Sequence, residues 1–177
     1  EIQEPVYYSL LKYNINETGS LNVSPELWHT KFSDTSFPND TTQGYMMLVE
    51  TGRQPVRVYE QSIDNLCSNV KFHLSAKISN LAIDIPYHHN LRHDPILRFE
   101  IFDESDNIIA SYITGEIPKG EEFSWGLYGF DFVLPQGISS VKLRISNYYD
   151  EASGWQVNAF VMDDIEIGFC PVSPEIM

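Results

Sequence analysis

The residues of this chain best equipped for chemistry are carboxylates, amides and aromatic rings placed in loops and at strand ends. In the closing segment 157–169, VNAFVMDDIEIGF, Asp163 shares odd-numbered parity with Val161, Ile165, Ile167 and Phe169. On a strand that parity turns the carboxylate inward, where a bare charge is costly and needs a partner: a metal ion is one candidate, a small buried hydrogen-bond network the other. Asp164 shares the even face with Glu166 and is expected in solvent. The loop YYDEASGWQ, ahead of this strand, brings Tyr148, Tyr149, Asp150, Trp155 and Gln156 close to Asn158, and Trp28 stands beside His29 in an early polar stretch. Aromatic faces stack on the apolar side of a pyranose while amides and carboxylates bond its hydroxyls, which makes these residues candidate sugar ligands. The competing reading is that each tryptophan plugs an end of the fold. Trp125 with Tyr128 forms a third candidate platform.

Catalytic constellations are weaker. His88, His89 and His93, with Asp94 adjacent, lie in a polar loop with no Ser or Cys motif around them and no helical HxxxH spacing. A zinc site needs three or four convergent ligands, so solvated histidines are the expectation. Glu121 and Glu122, or Asp150 and Glu151, are adjacent pairs whose members face opposite sides of a strand, which does not make a glycosidase pair across a gap. The chain is therefore not expected to be an enzyme. Only Cys67 and Cys170 are present, permitting one intrachain disulfide that would tie the C-terminus to the body in an oxidising compartment; two separate thiols are the alternative.

The 25 acidic and 11 basic side chains of the 177-residue chain give a formal net charge of −14 and no basic patch, an arrangement that repels nucleic acid and anionic membranes. No apolar run is long enough to cross a bilayer, so no direct membrane insertion is expected, and EIQEPVYY is not a signal-peptide pattern. A processed secreted protein or a domain of a larger one would look like this. Asn16, Asn22 and Asn39 each open an Asn-x-Ser/Thr triplet.

The elements that must position these groups are strands. In 69–79, NVKFHLSAKIS, Val70, Phe72, Leu74, Ala76 and Ile78 alternate with Lys71, His73, Ser75 and Lys77, the period-two pattern of a half-buried strand. PVYYSLLKY, GYMMLVE and VRVYEQSI read as further strands, the last two as neighbours. ILRFEIF and IIASYIT flank a DESDN turn as a hairpin, and FSWGLYGFDFVLP places Phe130, Phe132 and Leu134 on one face. VKLRISN opposes Val141, Leu143 and Ile145 to Lys142, Arg144 and Ser146. Residues 14–42 are polar, proline-interrupted and aperiodic, a long loop of the kind that carries function or is pinned by a ligand. No amphipathic helix appears. Many short strands with Gly and Pro punctuation predict an all-β, two-sheet antiparallel β-sandwich of jelly-roll type, a single module over 1–170 with a tail at 171–177.

The segments DTTQGYMMLVE (Asp40–Glu50), VYEQSIDNLCSNVKFHLSAKISNL (Val58–Leu81), PILRFEIFD (Pro95–Asp103) and NAFVMDDIEI (Asn158–Ile167) resemble, in order and spacing, the galactose-binding-like jelly-roll modules of large secreted and cell-surface proteins of Bacteroidetes-type bacteria, close in architecture to carbohydrate-binding modules. The resemblance spans roughly Phe37 to Phe169. It implies structural calcium, with Asp163 and Asp40 as ligands, and Thr41 and backbone carbonyls could complete the shell. Val157 and Ala159 depart from the family, which tends to carry Gly and Asp there; one acidic group of the terminal motif is thus missing. The implied function is a noncatalytic extracellular or cell-surface carbohydrate-binding module whose partner is a glycan or polysaccharide, with neighbouring domains of a larger protein beside it. The alternatives are a structural or protein-interaction spacer of an adhesin and, behind it, an accessory domain of a glycoside hydrolase.

Overall fold

A computed structural model describes residues 7–12, 45–51, 55–81, 94–120, 124–148 and 158–169. Its strands are β1 (Tyr7–Lys12), β2 (Tyr45–Thr51), β3 (Val56–Ile63), β4 (Lys71–Asn80), β5 (Leu97–Phe102), β6 (Ile108–Ile113), β7 (Gly126–Val133), β8 (Val141–Asn147) and β9 (Asn158–Phe169). They form a five-stranded sheet in the order β1-β2-β9-β4-β7 and a four-stranded sheet in the order β3-β8-β5-β6. Every pairing is antiparallel. The expected all-β sandwich is the observed fold.

Alternation builds the core. Phe72, Leu74, Ala76 and Ile78 of β4 and Val141, Leu143 and Ile145 of β8 are buried, and they meet Leu97, Phe99 and Ile101 of β5 and Phe160 and Met162 of β9 in one apolar cluster. Removing such side chains from water is the main favourable term available to a sandwich of strands. The hairpin of β5 and β6 turns where predicted. Asp103 Oδ1 accepts the backbone N–H groups of Ser105 and Asn107, Oδ2 accepts from Asn107 Nδ2, and Asp106 takes a positive φ. These bonds, the Asn107 side chain first, hold the Asp103 carboxyl below its ordinary range.

Two sequence expectations need correction. β2 and β3 are not neighbours: β2 pairs with β1 and β9, while β3 pairs with β8 in the opposite sheet. Between Thr51 and Val56 the chain passes from one sheet to the other, a step that parity within each strand cannot register. Nor does β9 keep one parity. Its pairing with β4 shifts between Ser75 and Lys77, and Asp164 takes a φ of 46°, the signature of a β-bulge. Before the bulge the even residues Phe160 and Met162 join the core; after it the odd residues Ile165 and Ile167 pack against it. Val161 lies on the other face, opposite Leu48 and Ser79, and Asp163 follows it there, opposite Lys77.

Close approach of β7 to β4 depends on Gly129. A Cβ there would stand 2.2 Å from the Leu74 carbonyl oxygen, backbone that has no room to yield. Cys67 is an exposed free thiol in the turn before β4, so the expected bridge is not part of the described structure; Cys170 lies outside the described residues.

Candidate functional site

β6 and β7 are edge strands of opposite sheets and face one another along one flank of the sandwich. The register places Tyr112 on the inner face of β6 opposite Phe99, and Tyr128 and Phe130 on the inner face of β7 opposite Ala76 and Leu74. Their rings join a continuous aromatic series. Tyr112 stacks on Phe130 with centroids 5.8 Å apart and planes 21° apart, and also meets the edge of Phe99 at 6.0 Å. Phe130 leads to Phe132 at 5.9 Å, Phe132 to Phe72 at 5.6 Å, and Phe72 to Phe169 at 5.0 Å. Phe72, Phe99 and Phe132 are buried, whereas Tyr112, Tyr128 and Phe130 are half-buried, so the series runs from the core out to the flank.

Tyr128 owes its position to Gly126. A Cβ on Gly126 would come within 2.6 Å of Tyr128 Cε2, so the absent side chain is what lets the ring lie over the start of β7. Burial, with a smaller contribution from Tyr112, pushes the Tyr128 phenol above its ordinary range. It therefore stays a neutral donor and acceptor into alkaline solution. Trp125, half-buried, immediately precedes Gly126. Rings that are part apolar floor and part hydroxyl, fixed by packing behind them, can stack on a flat ligand and bond its polar edge.

A second polar region sits at the end of the sandwich where β2, β4 and β8 finish and β5 and β9 begin. Asn158 Nδ2 donates to Asn147 Oδ1 at 3.1 Å, bonding one sheet to the other. Asn80 Nδ2 donates to Asp94 Oδ1 at 2.6 Å and to the Ile117 carbonyl at 2.8 Å. Outside this layer the Tyr148 N–H bonds the Ile96 carbonyl, and the Arg98 guanidinium lies 4.5 Å from the Tyr148 ring centroid.

Of the sequence-predicted ligand residues, the structure thus places Tyr148 under Arg98 on the outer side of the four-stranded sheet and Asn158 inside the sandwich. Asn158 is 1% exposed and serves the fold, so it is not a surface contact for a sugar. Trp28, Tyr149, Asp150, Trp155 and Gln156 lie outside the described residues, as do His88, His89 and His93. Tyr112 was not singled out by the sequence; its signal was only the inward parity of an aromatic in a short edge strand. Thr51, Asn80 and Asn147 were likewise legible as polar residues that continue the inward parity of Val49, Ile78 and Ile145.

The third region is the bulge. Asp163 is half-buried and turned away from the main core, and its Oδ1 accepts the Asp164 N–H at 2.8 Å. Lys77 Nζ sits 2.7 Å from Asp164 Oδ2, a contact that, ahead of the charges of Asp163 and Glu166, holds the lysine above its ordinary range. Part of the cationic demand of this acidic corner is thus met by an ammonium. Among the described residues no group of three or more acidic, His or Cys side chains gathers to hold a metal; Asp40 and Thr41 lie outside them.

No family model matches the chain, and no curated protein does. Among solved structures, an apo-form cyclase from Fischerella sp. shares the fold over 98% of this chain and 90% of its own, at 14% identity and a TM-score of 0.55. The enzymatically active domain of tailspike protein 4 from bacteriophage CBA120 aligns over 75% of this chain at 15% identity and a TM-score of 0.50. The CBM22-1 and GH10 modules of a Clostridium thermocellum endo-1,4-beta-D-xylanase, complexed with xylohexaose, align over 92% of this chain at 13% identity and a TM-score of 0.45. This chain spans 16% of the tailspike chain and 24% of the xylanase chain. At such identities the likeness is one of fold.

Proposed function

We propose that this chain is a noncatalytic carbohydrate-binding β-sandwich of an extracellular or cell-surface protein, and that its glycan lies along the β6/β7 flank. The observation that carries the reading is the pair of half-buried phenols, Tyr112 stacked on Phe130 and Tyr128 lying near Gly126, at the end of β7 that Trp125 precedes. A pyranose would stack its apolar face on these rings and bond its hydroxyls to the phenols, with binding and no bond cleavage. Loss of one aromatic contact of this kind costs about 0.5–1.5 kcal/mol, roughly two- to twelvefold in affinity.

The test is a glycan array followed by calorimetric titration of the best oligosaccharide. Tyr112→Ala and Tyr128→Ala should each weaken binding by that factor, with the oligosaccharide recovered uncut after prolonged incubation. No saturable binding to any glycan would refute the reading and favour a spacer or protein-interaction domain. Cleaved product would refute its noncatalytic part.

The reading includes a structural calcium ion at Asp163, completed by Asp40 and Thr41. A half-buried carboxylate beside a bulged backbone suits a hard cation, with Lys77 offsetting part of the charge there. Calcium that binds only the folded chain should raise Tm over chelator, and Asp163→Ala should erase the difference. Identical melting in chelator and in excess calcium would refute it.

A further inference from the structure

The end of the sandwich that carries the amides contains a hydroxyl with an unmet need. Thr51 ends β2 opposite Asn158, on the inward face that Val49 and Phe160 occupy two pairs earlier. It is 1% exposed, and its Oγ1 finds no hydrogen-bond partner among the described residues. Its register partner Asn158 is polar and equally buried, and other amides occupy the same end of the sandwich. Asn80, Asn147 and Asn158 are each 4% exposed or less, in positions where inward parity would otherwise call for an apolar side chain. Buried hydroxyls in folded proteins are bonded, to protein or to ordered water, because an orphaned one loses its hydration without return.

We propose that this layer binds one internal water molecule, bonded to Thr51 Oγ1 and bridging it to the Asn147–Asn158 amide pair. The chemistry favours a neutral ligand of that size. The Asn80 amide gives protons to Asp94 and the Ile117 carbonyl, and the Asn158 amide gives one to Asn147. Among the described residues the carboxylate of this layer is Asp94, already engaged by Asn80, so the described layer is a network of dipoles with little charge to balance a cation. A hard cation would require six to eight oxygens and negative charge. Water needs two to four polar partners and a small polar cavity. The bridge would extend the direct Asn147–Asn158 tie to β2, so that β2, β8 and β9 are fastened together where the chain crosses between sheets.

Thr51→Val keeps the shape and β-branching of the side chain and removes only the hydroxyl, so the sign of its effect decides. If water is bound, the variant should melt about 2–4 °C below wild type, the shift that a loss near 1 kcal/mol makes in a chain of this size. Crystal structures should show a solvent peak at hydrogen-bonding distance from Thr51 Oγ1 in the wild type and none there in the variant. If Thr51→Val melts at or above wild type, the hydroxyl is without a ligand and the proposal fails. It fails also if added cation raises wild-type Tm and Thr51→Val removes that response, which would make the ligand an ion.

Discussion

The two flanks of the sandwich are finished in opposite ways. On one, the edge strand β3 follows Pro55, is bulged between Arg57 and Tyr59, and turns Arg57, Glu60, Gln61 and Ser62 to solvent. Arg57 and Arg144 both pair with Glu60, at 2.9 and 2.8 Å. Proline, a bulge and charge are the devices by which sheet edges avoid unwanted pairing. On the other flank β6 and β7 expose Ile108 (57%), Ile113 (43%), Leu127 (68%) and Val133 (57%), with the half-buried rings of Tyr112, Tyr128 and Phe130 between the strands. The β6/β7 flank thus presents apolar side chains beside the Lys71–Asp131–His73 ion pairs, and exposed apolar surface of this kind suits a binding partner.

The largest effect should come from the root of that aromatic series. Phe132 is buried and touches both Phe72 and Phe130, and Phe132→Ala should cost about 3–5 kcal/mol in urea unfolding, with ligand binding lost along with the fold. If the cost is under about 1 kcal/mol, the rings do not share one packed unit with the core. Tyr128→Ala should separate the two properties, changing stability far less than Phe132→Ala while weakening glycan binding as given above. The smallest effect belongs to the protected flank. The Arg144 hydrogen bond, followed by the contacts to Arg57, holds the Glu60 carboxyl below its ordinary range. A depressed carboxyl adds stability above its unfolded pKa and loses it as pH falls through its folded one. Being a solvent-screened pair at the sheet edge, Glu60 and Arg144 should add at most about 1 kcal/mol at neutral pH. Glu60→Gln should therefore flatten the acid limb of the Tm–pH curve slightly and leave glycan affinity unchanged; a change in affinity would move the site to the β3 side.

Two paired strands show how far the sequence could be read. β4 alternates without interruption, and its inward residues are those expected. β9 lies beside it and reverses parity at Asp164, because a bulge inserts one residue that no hydrophobic pattern announces. The carboxylate expected inside at Asp163 therefore lies outside, opposite Lys77. Sheet membership was illegible for a similar reason: β2 and β3 are four residues apart in the chain, yet pair in different sheets, a choice made by the whole core. Loop aromatics such as Trp155 carried most of the chemical argument in the sequence, whereas the described aromatic surface comes from Tyr128, which the sequence offered with Trp125 as a third platform, and from Tyr112, an ordinary strand residue until two edges face each other.

The most direct measurement is backbone amide NMR of the chain titrated with the tightest oligosaccharide from the array. The largest shift changes should fall on Tyr112, Ile113 and Trp125–Tyr128, saturating together with one dissociation constant. Changes centred on Arg57–Ser62 of β3, or saturable binding that leaves the β6/β7 residues unmoved, would contradict the assignment of that flank as the binding surface.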